Sequence, residues 1–311
     1  MPKSEVLISN SVLVVYNTCG ISGRDNTDYY IFCLQKLLNQ DFPEFHVVLS
    51  DCCTSPVLRD KVVSHFGSLI SYNFVDDRLP LNVTVNSTVG LCVDHFGEFG
   101  AYLYVDSGVD ADNPTTISEL WKLLRSNSSY GMAASQVDID NGYALWQIDP
   151  SLIVIPVGKT VNLHCQLYSS EYFRAYNRKL LPDIFASDTH ESIYTYLTAA
   201  INLQFVVHPT LVLHHAQGVD GPSVGFRRGI SLFKETKHID QICIEGHPLG
   251  FGYEEHCGRC VHRQDLYKDN VTLLNPEPLH QFLLENVFLS PAVFDYKAIN
   301  QNFVPNYTSR Q

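Results

Sequence analysis

The stretch that decides the fold begins with Val12-Leu13-Val14-Val15-Tyr16. It passes through a polar loop at residues 17–27 and enters a segment where Ile31, Leu34, Leu37 and Leu38 recur at helical spacing, before Asn39-Gln40-Asp41-Phe42-Pro43 stops it. A short apolar, β-branched run without alternation is the habit of a strand covered on both faces, as in a parallel sheet. Asp28 stands where a side chain can cap the helix that follows.

The same unit repeats. Residues 45–49 form a second strand, ending in the polar turn Ser50-Asp51-Cys52-Cys53-Thr54-Ser55, with a helix over about 57–66. A third strand spans 70–75 and a helix-like stretch 85–96. Then come Ala101-Tyr102-Leu103-Tyr104-Val105 and Asp106-Ser107-Gly108-Val109-Asp110, with further strands expected at 152–157 and 205–207. This alternation predicts an α/β, Rossmann-like fold with a mostly parallel central sheet and helices on both faces. Such sheets take ligands beyond the carboxyl ends of their strands, where Asp51 and Asp106 both fall. After His215 the composition changes to a Gly-containing loop, a Cys/His-rich stretch and a helical tail. The expected division is a larger α/β domain at 1–220 and a smaller C-terminal extension at 221–311.

With 311 residues, 45% of them apolar and 17% charged, the chain can bury a large core. Its formal charge of −12 lacks the basic patch that a phosphate backbone requires, so nucleic acid is not an expected partner. No basic-then-apolar leader and no apolar run of about 18 residues is present, and a soluble, cytoplasmic protein without a transmembrane segment is expected. Nine scattered cysteines, an odd number, read as reduced thiols.

Tyr16-Asn17-Thr18 at the end of the first strand and Leu37-Leu38-Asn39-Gln40-Asp41-Phe42-Pro43 at the end of the first helix carry a resemblance. The chain resembles the inverting family 2 glycosyltransferases of the GT-A fold over residues 12–215. The resemblance implies metal-assisted transfer of a hexosyl or pentosyl group from a nucleotide-diphosphate donor, a UDP-sugar favoured, to a hydroxyl of a glycan or other acceptor. Tyr16, Asn17, Thr18, Asp51, Arg78, Asp106 and Ser107 would contact the nucleotide, with Asp51 on the base. Asn86 and Gly90 lie where the family keeps an Asn-x-x-Gly-like segment. Asp106 falls on the family's Asp-x-Asp, whose carboxylates hold Mn²⁺ or Mg²⁺ against the diphosphate. Here the motif is Asp-Ser-Gly and the next acid is Asp110, so either Asp106 and Asp110 share the metal, with a water filling the gap, or metal dependence is weakened. His215, at the end of the run Leu211-Val212-Leu213, is the further expected ligand.

The family's general base falls on Glu191 when Pro209 and His215 are aligned without gaps, and on Asp188 if three residues are inserted. Asp188-Thr189-His190-Glu191 also has the spacing of a capping box. Farther on, Cys257-Gly258-Arg259-Cys260, flanked by His256 and His262, has half the ligands of a structural Zn²⁺ site. Two other functions compete. A sugar nucleotidyltransferase would need a basic, Gly-rich loop after the first strand, yet residues 20–27 offer only Arg24. A non-catalytic nucleotide-sugar-binding module is suggested by Gly108 in the place of the second metal acid.

Overall fold

The computed structural model describes residues 10–19, 27–52, 56–76, 81–139, 153–157, 164–181, 193–215, 251–254, 259–262, 284, 299 and 301–306. In chain order the elements are β1 (Val12–Cys19), α1 (Thr27–Leu38), β2 (Phe45–Cys52), α2 (Pro56–Phe66), β3 (Ser71–Val75), α3 (Leu81–Phe96), β4 (Ala101–Asp106) and β5 (Val109–Asp110). There follow α4 (Thr116–Arg125), β6 (Tyr130–Ile139), β7 (Cys165–Ser169), α5 (Ser170–Ala175), α6 (Ile193–Ala200), β8 (Gln204–His215), β9 (Phe251–Glu254), β10 (Arg259–His262) and β11 (Gln301–Val304).

Nine strands make one sheet in the order β11-β3-β2-β1-β4-β7-β6-β8-β5, and β9 and β10 pair separately. β3, β2, β1 and β4 run parallel. β7 opposes them, β6 and β8 return to their direction, and β5 and β11 oppose their neighbours. Most strands therefore point one way, as expected, with antiparallel members confined to β5, β7 and β11.

Alternation along the strands divides the core into two faces. Val12, Val14 and Tyr16 of β1 pack with Ile31, Leu34 and Leu37 of α1, Val62 and Phe66 of α2, and Ile117, Leu120 and Leu124 of α4. Leu13 and Val15 pack on the other side with Val85 and Val89 of α3, Tyr172 and Phe173 of α5, and Leu197 of α6. The result is a three-layer sandwich whose central strands are apolar on both faces, the pattern read from residues 12–16.

Two expectations are corrected. Residues 153–157 form no strand; Val154 makes one isolated bridge to Val206, flanked by hydrogen bonds from Ile155 N–H to the Phe205 carbonyl and from Val207 N–H to the Ile153 carbonyl (2.9 and 2.8 Å). The runs at 205–207 and 211–213 are one strand, β8, which passes Pro209 by a register shift opposite Gln136. The Gln136 amide donates to the carbonyls of His208 and Pro209 (3.2 and 2.7 Å), satisfying acceptors the shifted ladder leaves open. The chain after residue 220 also returns to the main sheet: β11 lies antiparallel on β3, and Asn306 exchanges hydrogen bonds with Ser71. Among the described residues no helix is long and apolar enough to cross a membrane.

Candidate metal and nucleotide site

The central strand β1 sets the geometry. Thr18 is the register partner of Asp51 on β2, and Asn17 that of Asp106 on β4. The two acids thus lie at the carboxyl ends of β2 and β4, the strands that flank β1, at nearly the same height and two strand spacings or about 10 Å apart. Alternation turns them to opposite faces. Thr18 and Asp51 face α1 and α2, while Asp106 lies on the side of Tyr104 and α3, so a ligand touching both must cross the carboxyl edge of the sheet.

On the first face a cleft is lined by Tyr16, Thr18, Tyr30, Asp51, Arg59 and Phe74, among others. Asp51 is almost wholly buried, and both its oxygens are engaged: the Thr18 hydroxyl donates to Oδ1 at 2.7 Å and Arg59 Nε to Oδ2 at 3.3 Å. Arg59 also donates to the Val75 carbonyl (2.9 Å), pairs with Asp76, and lies over the Phe74 ring at 5.0 Å. A carboxylate inside a cleft of apolar walls, held by a hydroxyl and a guanidinium, suits a flat polar heterocycle whose N–H groups seek an acceptor.

On the second face Asp106 divides its carboxylate. Oδ1 accepts from the Tyr104 hydroxyl (3.3 Å) and the Ser107 backbone N–H (3.1 Å). Oδ2 meets His164 Nδ1 at 3.1 Å and stands 3.9 Å from His215 Nε2. The two imidazoles stack, with centroids 4.2 Å apart and planes 22° from parallel. Each side chain is placed by sheet pairing. His164 enters β7 opposite the end of β4, where its carbonyl accepts from the Asp106 N–H (2.8 Å), and His215 ends β8 opposite Val109 of β5.

Burial alone would raise the Asp106 pKa; the hydrogen bond and charge of His164, then His215, carry it below the ordinary carboxylate value. Burial, helped by His164 and opposed by Asp106, lowers His215 to about 4, which leaves its ring neutral at neutral pH. Both His215 ring nitrogens are buried without a hydrogen-bond partner. One carboxylate and two imidazoles whose donor atoms all lie within 4.8 Å of one another fit a divalent cation, to which a neutral His215 ring offers one buried nitrogen lone pair.

The structure groups Asp106 with His164 rather than with Asp110. Asp110 is paired with Lys36 of α1 at 2.8 Å, and Lys36 also reaches Asp112 at 2.8 Å. Asn17 is buried beside Asp106 with its Oδ1 unpartnered, and Ser107 is half-buried in the turn that follows. Tyr16 links the two faces, lining the cleft while its hydroxyl accepts from the Gly108 N–H at 3.5 Å. Asn86 serves the scaffold: its side chain bonds the Leu180 and Leu181 N–H groups (3.1 Å each) and the Leu181 carbonyl (2.7 Å).

Arg78, Asp188, Glu191 and Cys257 lie outside the described residues, as does the side chain of Cys260, so neither the candidate bases nor the zinc half-site is placed. Of the four groups expected to converge, Asp106 and His215 are in contact range and Asp51 flanks them across β1. Sequence reasoning missed His164 and Arg59. A lone His before a strand carries no local signal, and only antiparallel pairing of β7 with β4 brings it to Asp106. Arg59 could have been suspected from its place in the first turn of α2, the helix that follows Asp51.

No protein-family model matches the chain, and no curated protein matches it. Among solved structures it is similar to the mannosyltransferase PcManGT from Pyrobaculum calidifontis in complex with GDP-Man and Mn²⁺, with 16% identity and a TM-score of 0.50. The match covers 74% of this chain and 64% of that one, so the chain spans just under two thirds of its neighbour's length. The likeness is one of fold: a Rossmann-like α/β architecture of the GT-A type, with both candidate sites at the carboxyl edge of its sheet.

Proposed function

We propose that the protein is a metal-assisted glycosyltransferase using a nucleoside-diphosphate sugar. The observation that carries this reading is the Asp106–His164–His215 cluster at the carboxyl edge of the sheet, one strand from the Asp51 cleft. The shared fold with a mannosyltransferase solved with GDP-Man and Mn²⁺ supports it. In this reading the base edge of the nucleotide sits against Asp51 and Thr18, with Tyr16 and Phe74 as walls, and the diphosphate lies across the end of β1 beside Asn17 and Ser107. A bound cation supplies positive charge to the departing diphosphate. Asp106 and His215 bind that cation.

The proposed course is inversion. A carboxylate in the segment before α6, Glu191 in the first assignment and Asp188 in the second, accepts the proton of the acceptor hydroxyl as that oxygen attacks the anomeric carbon and the diphosphate leaves. Arg78 contacts the nucleotide. Residues 221–311 supply acceptor recognition.

The test is a panel of UDP-sugars and GDP-mannose, with binding measured calorimetrically and nucleoside diphosphate release followed with and without Mn²⁺. Metal-dependent release that Asp106→Asn lowers by 100-fold or more is expected. Glu191→Gln should stop transfer and spare donor binding; loss confined to Asp188→Asn moves the base three residues. Donor binding without any turnover favours the non-catalytic module, and absence of all donor binding overturns the proposal.

A further inference from the structure

The turn after Asp106 shows why this site lacks a second acid. Gly108 occupies the third position of Asp106-Ser107-Gly108 with φ of +91°, backbone that side-chain-bearing residues rarely adopt. Its N–H and carbonyl are tied to the Tyr16 and Tyr29 hydroxyls, so the turn is fixed from both sides. A carboxylate at 108 would have to be built on strained backbone. The donor grouped with Asp106 comes instead from the start of the neighbouring strand β7, at His164.

His164 reaches Asp106 with Nδ1, which is as many bonds from Cα as a carboxylate oxygen of Asp would be. The 3.1 Å between Nδ1 and Oδ2 is a hydrogen bond, and once the proton the two atoms share is lost the same pair matches the edge, about 3 Å, between neighbouring ligands of one octahedral cation with bonds near 2.1 Å. His215, 7% exposed with both nitrogens unpartnered, offers the second imidazole.

We propose that the exchange of a carboxylate for His164 makes this a borderline-soft cation site. It binds Co²⁺ and Zn²⁺ more tightly than Mn²⁺, and it takes up Mg²⁺ too weakly to be used. The inference rests on the reading above only in placing a cation at this cluster. Its physical basis is ligand chemistry. Imidazole nitrogen favours metals late in the first row, whereas Mg²⁺ prefers oxygen and sheds its waters reluctantly. Two neutral imidazoles also leave Asp106 as the one anion in the set, so little charge is available to strip a hard cation of its hydration.

The test uses the full chain without nucleotide. Co²⁺ is titrated in while its visible absorption is followed, and Mg²⁺, Mn²⁺ and Zn²⁺ are then added as competitors. Zn²⁺ is expected to displace Co²⁺ at equal concentration, Mn²⁺ only in roughly tenfold or greater excess, and Mg²⁺ not at a thousandfold excess. In His164→Asp, checked for folding by thermal unfolding, Co²⁺ should bind at least tenfold more weakly and Mg²⁺ should become a competitor. Displacement of Co²⁺ by Mg²⁺ in the unaltered protein, or absence of Co²⁺ binding, overturns the proposal without any variant. Selective cation binding in a protein that binds no nucleotide sugar would leave this inference standing and remove the glycosyltransferase reading; donor binding with no metal selectivity would do the reverse.

Discussion

The Thr18 hydroxyl donates to Asp51 Oδ1 at 2.7 Å across neighbouring parallel strands, and Arg59 takes the other oxygen. With Asp51 2% and Arg59 14% exposed at their side chains, this is a buried ion pair rather than a surface one. Removing one partner leaves a desolvated charge behind. Arg59→Met should therefore cost about 3 kcal/mol in urea unfolding, and adding Asp51→Asn should recover part of that loss. Simple additivity of the two changes would show that they share no interaction.

Gln40, in the Leu37-Leu38-Asn39-Gln40 motif, is buried and acts as a clamp. Its amide donates to the carbonyls of Lys36, Ala111 and Asn113 at 3.1–3.3 Å, and its oxygen accepts from the Ile117 N–H at 3.2 Å. Gln40→Leu would leave these backbone groups unmet at a cost of about 2–4 kcal/mol. Faster amide exchange at Ile117 is the local signature to measure, and an unchanged rate would remove the clamp role.

Gly108→Ala should lower the thermal unfolding midpoint, at about 1–2 kcal/mol, because φ of +91° is open to glycine and strained for alanine. A variant as stable as the parent would mean that the turn relaxes freely.

His46, 4% exposed, lies against Phe96 and Phe99 with Nε2 2.9 Å from Ser71 Oγ, and burial lowers its pKa to about 4. The unfolded chain takes up this proton near pH 6.5, the folded protein only near 4, so stability falls as pH drops through that window, by up to about 3 kcal/mol. Measured by urea unfolding with a chelator present, His46→Gln should flatten the profile between pH 6.5 and 4 relative to the parent. Parallel profiles would contradict the assignment.

The α/β character was legible because strands such as 12–16 and 101–105 are apolar on both faces, which few other arrangements tolerate. The carboxyl-edge acids followed from those strand ends. The Asp106 partner was not legible, because His164 lies 58 residues away and meets Asp106 only through an antiparallel strand in a sheet expected to be parallel. Asp110 looked like the next ligand by proximity in sequence, whereas Lys36, 74 residues earlier, neutralises it. The most specific-looking motif, ending in Gln40, is explained by backbone it supports rather than by a ligand. Pro209 shows a local ambiguity: it is absorbed within β8 by a register shift beside Gln136, whose amide covers its carbonyl.

The pairing of β11 with β3 has a consequence for synthesis. Ser71 meets Asn306 across 235 residues of chain. At about 5–20 residues per second, the ribosome needs roughly 10–50 s to make that interval. For that time the outer side of β3 has no native neighbour, and a nascent chain must carry an open sheet edge or have it shielded by a chaperone. Shortening the protein before residue 301 would make that transient exposure permanent, and such a truncation should surface as aggregation during expression.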